Sequence, residues 1–341
     1  MTILKPLRQS RNLFWLLALP VLWWMFRSIP VGEIWSSLQQ LRLWQILALA
    51  AINLVIILLF TCRWWLVLRS MGYRLPFLSL VGYRLAGFGV SYFTPGPQFG
   101  GEPLQVRLIR DRHNMPLSTA VGSVSLDKLL ELLVNFSFIF VGVMVVLRSR
   151  VFRDNLPLPL LFFSIILFSL PAAYLFVIWS GRRPFTWLAS LLPSRLDGYP
   201  LSNKVKYIVS TSEDQMVNFC RQKPRSLFWI MVLSLFTWLI VIIESWSTLY
   251  FLGYHLDVLQ IISLLTAARI AFMLPSPGGM GTLEASQVLM MQALGLDPAL
   301  AISASLLIRG RDLLLSSLGL WIGVMQSRRP VLNPLPSSVG D

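Results

Sequence analysis

Two short stretches rich in glycine and proline each end in or just after a carboxylate, FTPGPQFGGEP at 93–103 and PSPGGMGTLE at 275–284. Proline and glycine interrupt helices, so each stretch should break an apolar helix and begin a new one. Pro103 suits a first helical position, and Thr282 could cap the second short helix. Because helix N-termini carry unpaired N–H groups and a positive dipole end, they attract anions such as phosphates. The two breaks therefore predict an anion-binding site.

The acids of these stretches, Glu102 and Glu284, have two possible roles. They could simply stabilise the helix starts, where negative charge is favourable. Alternatively, they could face a cavity and bind a counter-cation, a proton or a substrate amine. The predicted substrate-binding residues are the glycines, proline and acids of the breaks with two nearby arginines: Gly96, Gly100, Gly101, Glu102, Arg107, Pro277, Gly278, Gly279, Gly281, Glu284 and Arg309.

The composition indicates what surrounds these residues. Of the 341 residues, 55% are hydrophobic and 13% are charged, whereas about 25% are charged in a typical soluble domain. Several apolar windows are long enough to cross a bilayer, which predicts an all-α polytopic membrane protein. The net charge of +14 is then typical of loops beside anionic lipid rather than of nucleic-acid binding. The sequence contains no metal or nucleotide motif, so we expect no catalytic residue, metal or cofactor.

About six full spans are predicted, together with two shorter apolar stretches, 77–93 and 258–274, that run into the breaks. If both short stretches are re-entrant, the segments rich in Lys and Arg fall on one side, which the positive-inside bias makes cytoplasmic. Both termini then lie on that side, and we expect a bacterial cytoplasmic membrane. The full spans are predicted at 13–29, 43–68, 118–147, 156–179, 226–252 and 299–325.

The two breaks belong to a longer internal similarity. At an offset of 182 residues Pro95 falls on Pro277 and Glu102 on Glu284, and at an offset of 181 MGYRL at 71–75 meets LGYHL at 252–256. The number of spans between the copies gives them opposite orientations, as in the inverted repeats of many transporters. The single membrane domain, 1–341, is thus divided into repeat A at 43–147, repeat B at 226–325, a cytoplasmic amphipathic linker at 181–225 and a loose tail at 328–341.

Charged residues inside the predicted spans should face protein or water rather than lipid. Under the offset of 182, Asp127 falls on Arg309, and we predict that these two form a supporting ion pair. A second hypothesis is that Arg309 or Arg107 binds a lipid phosphate bidentately. The charged residues of the spans are Arg63, Asp127, Lys128, Glu131, Glu244, Arg309, Arg311 and Asp312.

The motifs around both breaks resemble those of a known membrane family. PGPQFGGEPLQVRLIRD with MPLSTAVGSVSLDKLLE, and LPSPGGMGTLEASQVLMMQALGLDPALAISASLLIRGRDLLL, are similar to the two halves of the lysylphosphatidylglycerol synthase transmembrane-region family, which includes flippase-like UPF0104 proteins. Multidomain members fuse this region to a soluble aminoacyl-transferase domain, and the membrane region moves the lipid product. A chain of this length leaves no room for that catalytic domain, so we expect no synthase activity.

The resemblance implies a flippase-like transporter that translocates or binds an anionic or aminoacylated phospholipid, or a polyprenyl-phosphate-linked lipid. The alternative is a non-transporting accessory protein for a membrane glycosyltransferase or lipid synthase. The expected partners are membrane lipids, with one of these enzymes in the alternative, and no nucleic acid. The headgroup would lie between the two short helices, near Arg107 and Arg309.

Overall fold

A computed structural model describes residues 41–94, 99–148, 158–190, 200–274 and 276–328, together with Gly32, Trp35 and Gln39. Within these ranges all regular secondary structure is helical, which confirms the all-α fold. Four helices are long and apolar enough to cross a membrane, so the chain is a multi-pass membrane protein. These four are Leu43–Ser70, Leu117–Arg148, Leu158–Trp179 and Pro224–Phe251.

The first half of the described chain contains a long helix, two short helices and a second long helix. The first long helix ends at a turn in which Gly72 has φ 93°, a conformation that glycine adopts without strain. Pro76 then precedes the first short helix, where its missing N–H costs no hydrogen bond. The helices are α1 (Leu43–Ser70), α2 (Phe77–Phe93), α3 (Glu102–His113) and α4 (Leu117–Arg148).

The second half has the same order of elements, with a short 3₁₀ turn at the break, Pro277–Gly279. The described part of the connection between the halves contains three helices: α5 (Leu158–Trp179), α6 (Pro184–Ser190) and α7 (Pro200–Gln222). The helices of the second half are α8 (Pro224–Phe251), α9 (Val258–Ala271), α10 (Thr282–Ala293) and α11 (Pro298–Arg328).

The two halves correspond closely in register. Helices α1, α2 and α4 begin 181 residues before α8, α9 and α11 respectively. The turn after α8 contains Gly253, whose φ of 93° equals that of Gly72. Packing is interleaved, since α2 lies against α11, α9 lies against α4, and α1 lies against α8. A duplicated unit predicts this spacing.

The predicted spans correspond to the helices as follows. The spans at 43–68, 118–147, 156–179 and 226–252 match the four helices that are long and apolar enough to cross. The span predicted at 299–325 falls on α11, which carries three charged residues in its middle and is not one of those four. The span at 13–29 and nearly all of the tail at 328–341 lie outside the described residues.

The connecting helix α7 differs in part from the predicted amphipathic linker. Its C-terminal half packs on protein, where Met216, Phe219 and Cys220 are buried with residues of α4, α5 and α8. The Ser212 hydroxyl also donates to the Ser118 carbonyl oxygen at 2.9 Å. Val205, in the N-terminal half, is exposed. The apolar face of α7 is thus covered by other helices along part of its length instead of lying wholly at a lipid interface.

Candidate functional site

The first break folds α3 back against α2. The backbone N–H of Gly101 donates to Ser91 Oγ at 2.9 Å, and a Cβ on Gly101 would lie 1.9 Å from the Gly87 carbonyl oxygen. The backbone N–H of Gly100 donates to Glu102 Oε2 at 2.8 Å. Glycine is therefore required at 101 for close approach, and Glu102 caps the turn that precedes its own helix. Gly96 lies outside the described residues.

The second break is built almost entirely from glycine in the left-handed region. Gly278, Gly279 and Gly281 have φ values of 56°, 66° and 75°, which other residues adopt only with strain. The Gly281 N–H donates to Glu284 Oε2 at 3.0 Å. Gly281 is the N-cap of α10, so Thr282 does not occupy the capping position that the sequence suggested. Pro277 begins the 3₁₀ turn.

The two breaks contact each other. A Cβ on Gly278 would lie 2.8 Å from the ring of Tyr92, and Tyr92 is the penultimate residue of α2. The buried cluster around Tyr92 and Phe93 also includes Met280, which lies in the second break. Helix α2 packs against the 3₁₀ turn as well. The structure therefore brings together the two stretches that the sequence singled out.

A cavity of 340 Å³ opens beside this junction and is lined by helices from both halves. Its wall is mostly apolar, with seven aromatic side chains and several neutral polar groups. Nine charged residues among those that the structure describes also line it: Arg84, Glu102, Asp127, Lys128, Glu131, Glu244, Arg269, Arg311 and Asp312. Charges at this depth in a membrane protein are costly unless they are paired or serve a function.

In the first half, two arginines bridge the same two carboxylates. Arg63 Nε lies 2.7 Å from Asp127 Oδ1, and Arg63 Nη2 lies 2.9 Å from Glu131 Oε2. Arg84 Nη1 lies 2.5 Å from Asp127 Oδ2, and Arg84 Nη2 lies 2.6 Å from Glu131 Oε2. This arrangement ties α1 and α2 to α4 with charge-assisted hydrogen bonds.

Lys128 extends this network to the first break. Its Nζ lies 2.9 Å from Glu131 Oε1 and 3.2 Å from Glu102 Oε1. Glu102 therefore caps the turn with one oxygen and pairs with Lys128 through the other. Among the described residues, the first-half network contains three cations and three carboxylates, and each of them has an oppositely charged partner.

The salt bridges between described residues of the second half form two separate groups. Arg311 Nη1 lies 2.6 Å from Glu244 Oε1, and Arg311 Nε lies 2.9 Å from Asp312 Oδ1. Arg309 Nη2 lies 2.5 Å from Glu284 Oε1. The first group lines the cavity, whereas Arg309 and Glu284 are not among its lining residues.

The predicted Asp127–Arg309 ion pair does not form, because Asp127 binds Arg63 and Arg84 while Arg309 binds Glu284. The corresponding helix starts of the two halves are 181 residues apart, and at this offset Arg309 falls on Lys128. Residues adjacent along a helix point about 100° apart, and a slip of one residue therefore selects a different face. Lys128 pairs with Glu102 and Arg309 pairs with Glu284, so each cation joins a long helix to the acid of a break, although the two acids correspond at an offset of 182.

The arginines expected beside the headgroup lie elsewhere. Arg107 is exposed on α3 and lies 3.4 Å from Asp111 Oδ2, and neither Arg107 nor Arg309 lines the cavity. Sequence reasoning missed Arg84 and Arg269 as site residues. Each of these arginines lies within a short apolar stretch, and this position could have identified it. The prediction of topology instead counted Lys and Arg over the longer segments between full spans, so it did not single them out.

Arg269 differs from the other cations of the cavity. Among the described residues, no carboxylate lies within salt-bridge distance of its guanidinium, which is half-buried in the last turn of α9. Its Cζ lies over the Trp238 ring at 4.9 Å from the centroid. Phe138 stacks on Trp238 with 4.1 Å between centroids. A cation–π contact holds the face of the guanidinium and leaves its edge donors available.

Comparison with known proteins gives a consistent set of similarities. Residues 14–319 match the family model described as Lysylphosphatidylglycerol synthase TM region. A UPF0104 membrane protein of Methanothermobacter thermautotrophicus is 22% identical over 84% of this chain and 86% of its own length. Another, of Methanocaldococcus jannaschii, is 20% identical over 82% and 84%, and one of Pyrococcus horikoshii is 23% identical over 74% and 78%. No solved structure matches the chain.

Proposed function

This chain belongs to the family of the lysylphosphatidylglycerol synthase TM region, and from that premise we propose that it is a flippase-like lipid transporter. The family match confirms the resemblance drawn from the motifs at the two breaks. The proposed substrate is an anionic or aminoacylated phospholipid, or a polyprenyl-phosphate-linked lipid, whose headgroup enters the cavity beside the junction of the breaks.

The observation that carries this proposal is the charged cavity between the halves. Broken backbone and charged side chains are tolerated at membrane depth where protein or a watery cavity surrounds them. A lipid headgroup needs such a polar space to cross the hydrocarbon region. The apolar and aromatic part of the wall suits the rest of an amphiphile.

We also propose the membrane arrangement on which transport would depend. Repeats A and B are inverted copies, α2 with α3 and α9 with α10 are re-entrant hairpins, and both termini are cytoplasmic in a bacterial cytoplasmic membrane. The interleaved packing of α2 on α11 and of α9 on α4 supports this proposal, since one half could then rock against the other.

The roles proposed for the predicted residues divide according to their distance from the cavity. The glycines of both breaks allow close backbone packing, and Glu102, which is paired with Lys128, is the acid of the breaks that lines the cavity. The ion pair between Glu284 and Arg309 stabilises the second break. Arg107 attracts anionic lipid at the surface.

Transport can be tested with purified protein in vesicles that contain fluorescent phosphatidylglycerol. We expect wild-type protein to move the lipid between leaflets, and Ser245→Trp, which places an indole in the cavity lining, to reduce the rate at least tenfold. Ser169→Trp is the matched control, because Ser169 is exposed on α5 and should retain wild-type movement.

Size-exclusion profiles of both variants establish that the protein remains folded. Lipid movement by wild type no faster than in protein-free vesicles would contradict transport. A synthase or glycosyltransferase recovered with the protein from native membranes would then favour the accessory role. Equal rates for Ser245→Trp and Ser169→Trp would exclude the cavity as the route.

A further inference from the structure

The charges of the cavity limit the kind of headgroup that it can hold. In the first half, Arg63, Arg84 and Lys128 are fully engaged by Glu102, Asp127 and Glu131. A ligand ion would have to displace one of these contacts, all of which are partly or wholly buried. The described residues of this network therefore form one wall of the cavity and offer no unpaired charge to a ligand.

The second-half charges leave one position open. Arg311 engages both Glu244 and Asp312, so neither carboxylate lacks a cation. Arg269 lines the same cavity without a carboxylate in salt-bridge distance in the described part of the chain. Its contact with Trp238 fixes its position, and Glu131, Glu244 and Asp312 act on its charge only from beyond salt-bridge distance. The cavity thus offers one cation to a ligand and no unpaired carboxylate among its described residues.

The neutral polar groups of the wall define the rest of the headgroup. Gln105, Asn135 and Ser245 line the cavity, and their side chains form no hydrogen bond with other described residues. Amide and hydroxyl groups whose hydrogen-bonding capacity is unused can bind the hydroxyl groups of a polyol, because each can both donate and accept a hydrogen bond. They provide no charge for an ammonium group.

We propose that Arg269 is the anion-binding residue of this cavity and that its ligand is a phosphodiester with one negative charge and an uncharged polyol, such as glycerol or a sugar. This inference rests on the proposed function and narrows its substrate. A lipid whose headgroup carries an added aminoacyl cation is disfavoured, because every described carboxylate of the cavity already has a cationic partner and the new charge would be buried unpaired.

Binding by the purified full-length protein in detergent tests this specificity. Phosphatidylglycerol, lysyl-phosphatidylglycerol and phosphatidylcholine are compared by native mass spectrometry, and we expect phosphatidylglycerol to bind at least tenfold more tightly than the other two. Arg269→Gln should weaken phosphatidylglycerol binding about 10- to 100-fold, as the loss of a charge-assisted contact implies. Arg69→Gln is the matched control, because Arg69 is exposed, lies over the Trp65 ring at 5.0 Å from the centroid and does not line the cavity, and it should have less than a threefold effect.

The outcomes separate this inference from the proposed function. If wild type moves fluorescent lipid in vesicles but Arg269→Gln and Arg69→Gln bind phosphatidylglycerol equally well, the role of Arg269 is wrong and transport stands. Tighter binding of lysyl-phosphatidylglycerol would also overturn the inference. Arg269→Lys, which keeps the charge, should retain more binding than Arg269→Gln, whereas equal loss in both would show that the defect is one of packing and would contradict the proposal.

Soluble glycerophosphoglycerol distinguishes a headgroup site from a site for the whole lipid. If it displaces bound phosphatidylglycerol through an interaction that Arg269→Gln abolishes, the headgroup alone supplies the recognition. If it does not displace the lipid while binding still depends on Arg269, the acyl chains are also required. Both results support the phosphodiester assignment, and displacement that is unchanged in Arg269→Gln opposes it.

Discussion

Replacement of Asp127 by Asn is expected to lower the free energy of unfolding by about 3–5 kcal/mol, the usual effect of removing one partner from a buried ion pair. Asp127 accepts from Arg63 at 2.7 Å and from Arg84 at 2.5 Å, and the side chains of Asp127 and Arg63 are only 6% and 3% exposed. The loss leaves two arginines sharing Glu131. Unfolding in mixed micelles, followed by circular dichroism, measures the change.

The control for this prediction is Asp111→Asn. Asp111 pairs with Arg107 at 3.4 Å on the surface, where its side chain is 47% exposed, and such pairs contribute about 0–1 kcal/mol. If Asp127→Asn and Asp111→Asn destabilise the protein equally, the buried network does not stabilise the junction of α1, α2 and α4. Adding Arg63→Gln to Asp127→Asn should recover part of the loss, because it removes an uncompensated charge.

Replacement of Gly319 by Ala should also cause a large loss of stability. A Cβ on Gly319 would lie 2.0 Å from the Leu85 carbonyl oxygen, a backbone atom that cannot rotate away. Because α2 and α11 belong to different halves, the methyl group would separate the halves. Overpacking of this kind costs about 1–3 kcal/mol, and small residues are what allow membrane helices to approach closely.

Gly323→Ala is the matched variant, one turn further along α11. Its Cβ would lie 3.2 Å from the Ala86 side chain, so a small shift accommodates it. The gain in helix propensity from Gly to Ala is about 1 kcal/mol and should offset that shift. Thermal unfolding of both variants measures the difference, and equal midpoints would contradict the close packing of α2 on α11.

The sequence predicted the helix boundaries well because proline and glycine mark them. Pro76 and Pro116 precede helix starts and Pro298 is the first residue of α11, and Gly72 and Gly253 adopt the positive φ in the turns that follow α1 and α8. These signals are local, since they depend on the conformations open to single residues. The pairing of the two breaks also followed from local similarity at a constant offset.

Ion-pair partners could not be read from the sequence in the same way. The choice between Asp127 and Lys128 as the counterpart of Arg309 depends on a single residue of register, and the motif alignment at 182 differs by one from the helix alignment at 181. For Arg84 and Arg269, the count of charges between spans predicts only a side of the membrane. This count does not consider which short helix lines a cavity. Their roles depend on contacts between distant helices.

The central claim is that a lipid headgroup occupies the cavity where the two breaks meet. Phosphatidylglycerol with a photoreactive diazirine on its glycerol headgroup tests this most directly, followed by mapping of the crosslinked residues by mass spectrometry. We predict adducts on cavity residues of α8 and α9, such as Trp238, Ser245 and Arg269, that fall at least tenfold when unlabelled phosphatidylglycerol competes. Adducts confined to lipid-facing residues, such as the exposed Phe176 and Trp229, would contradict the claim.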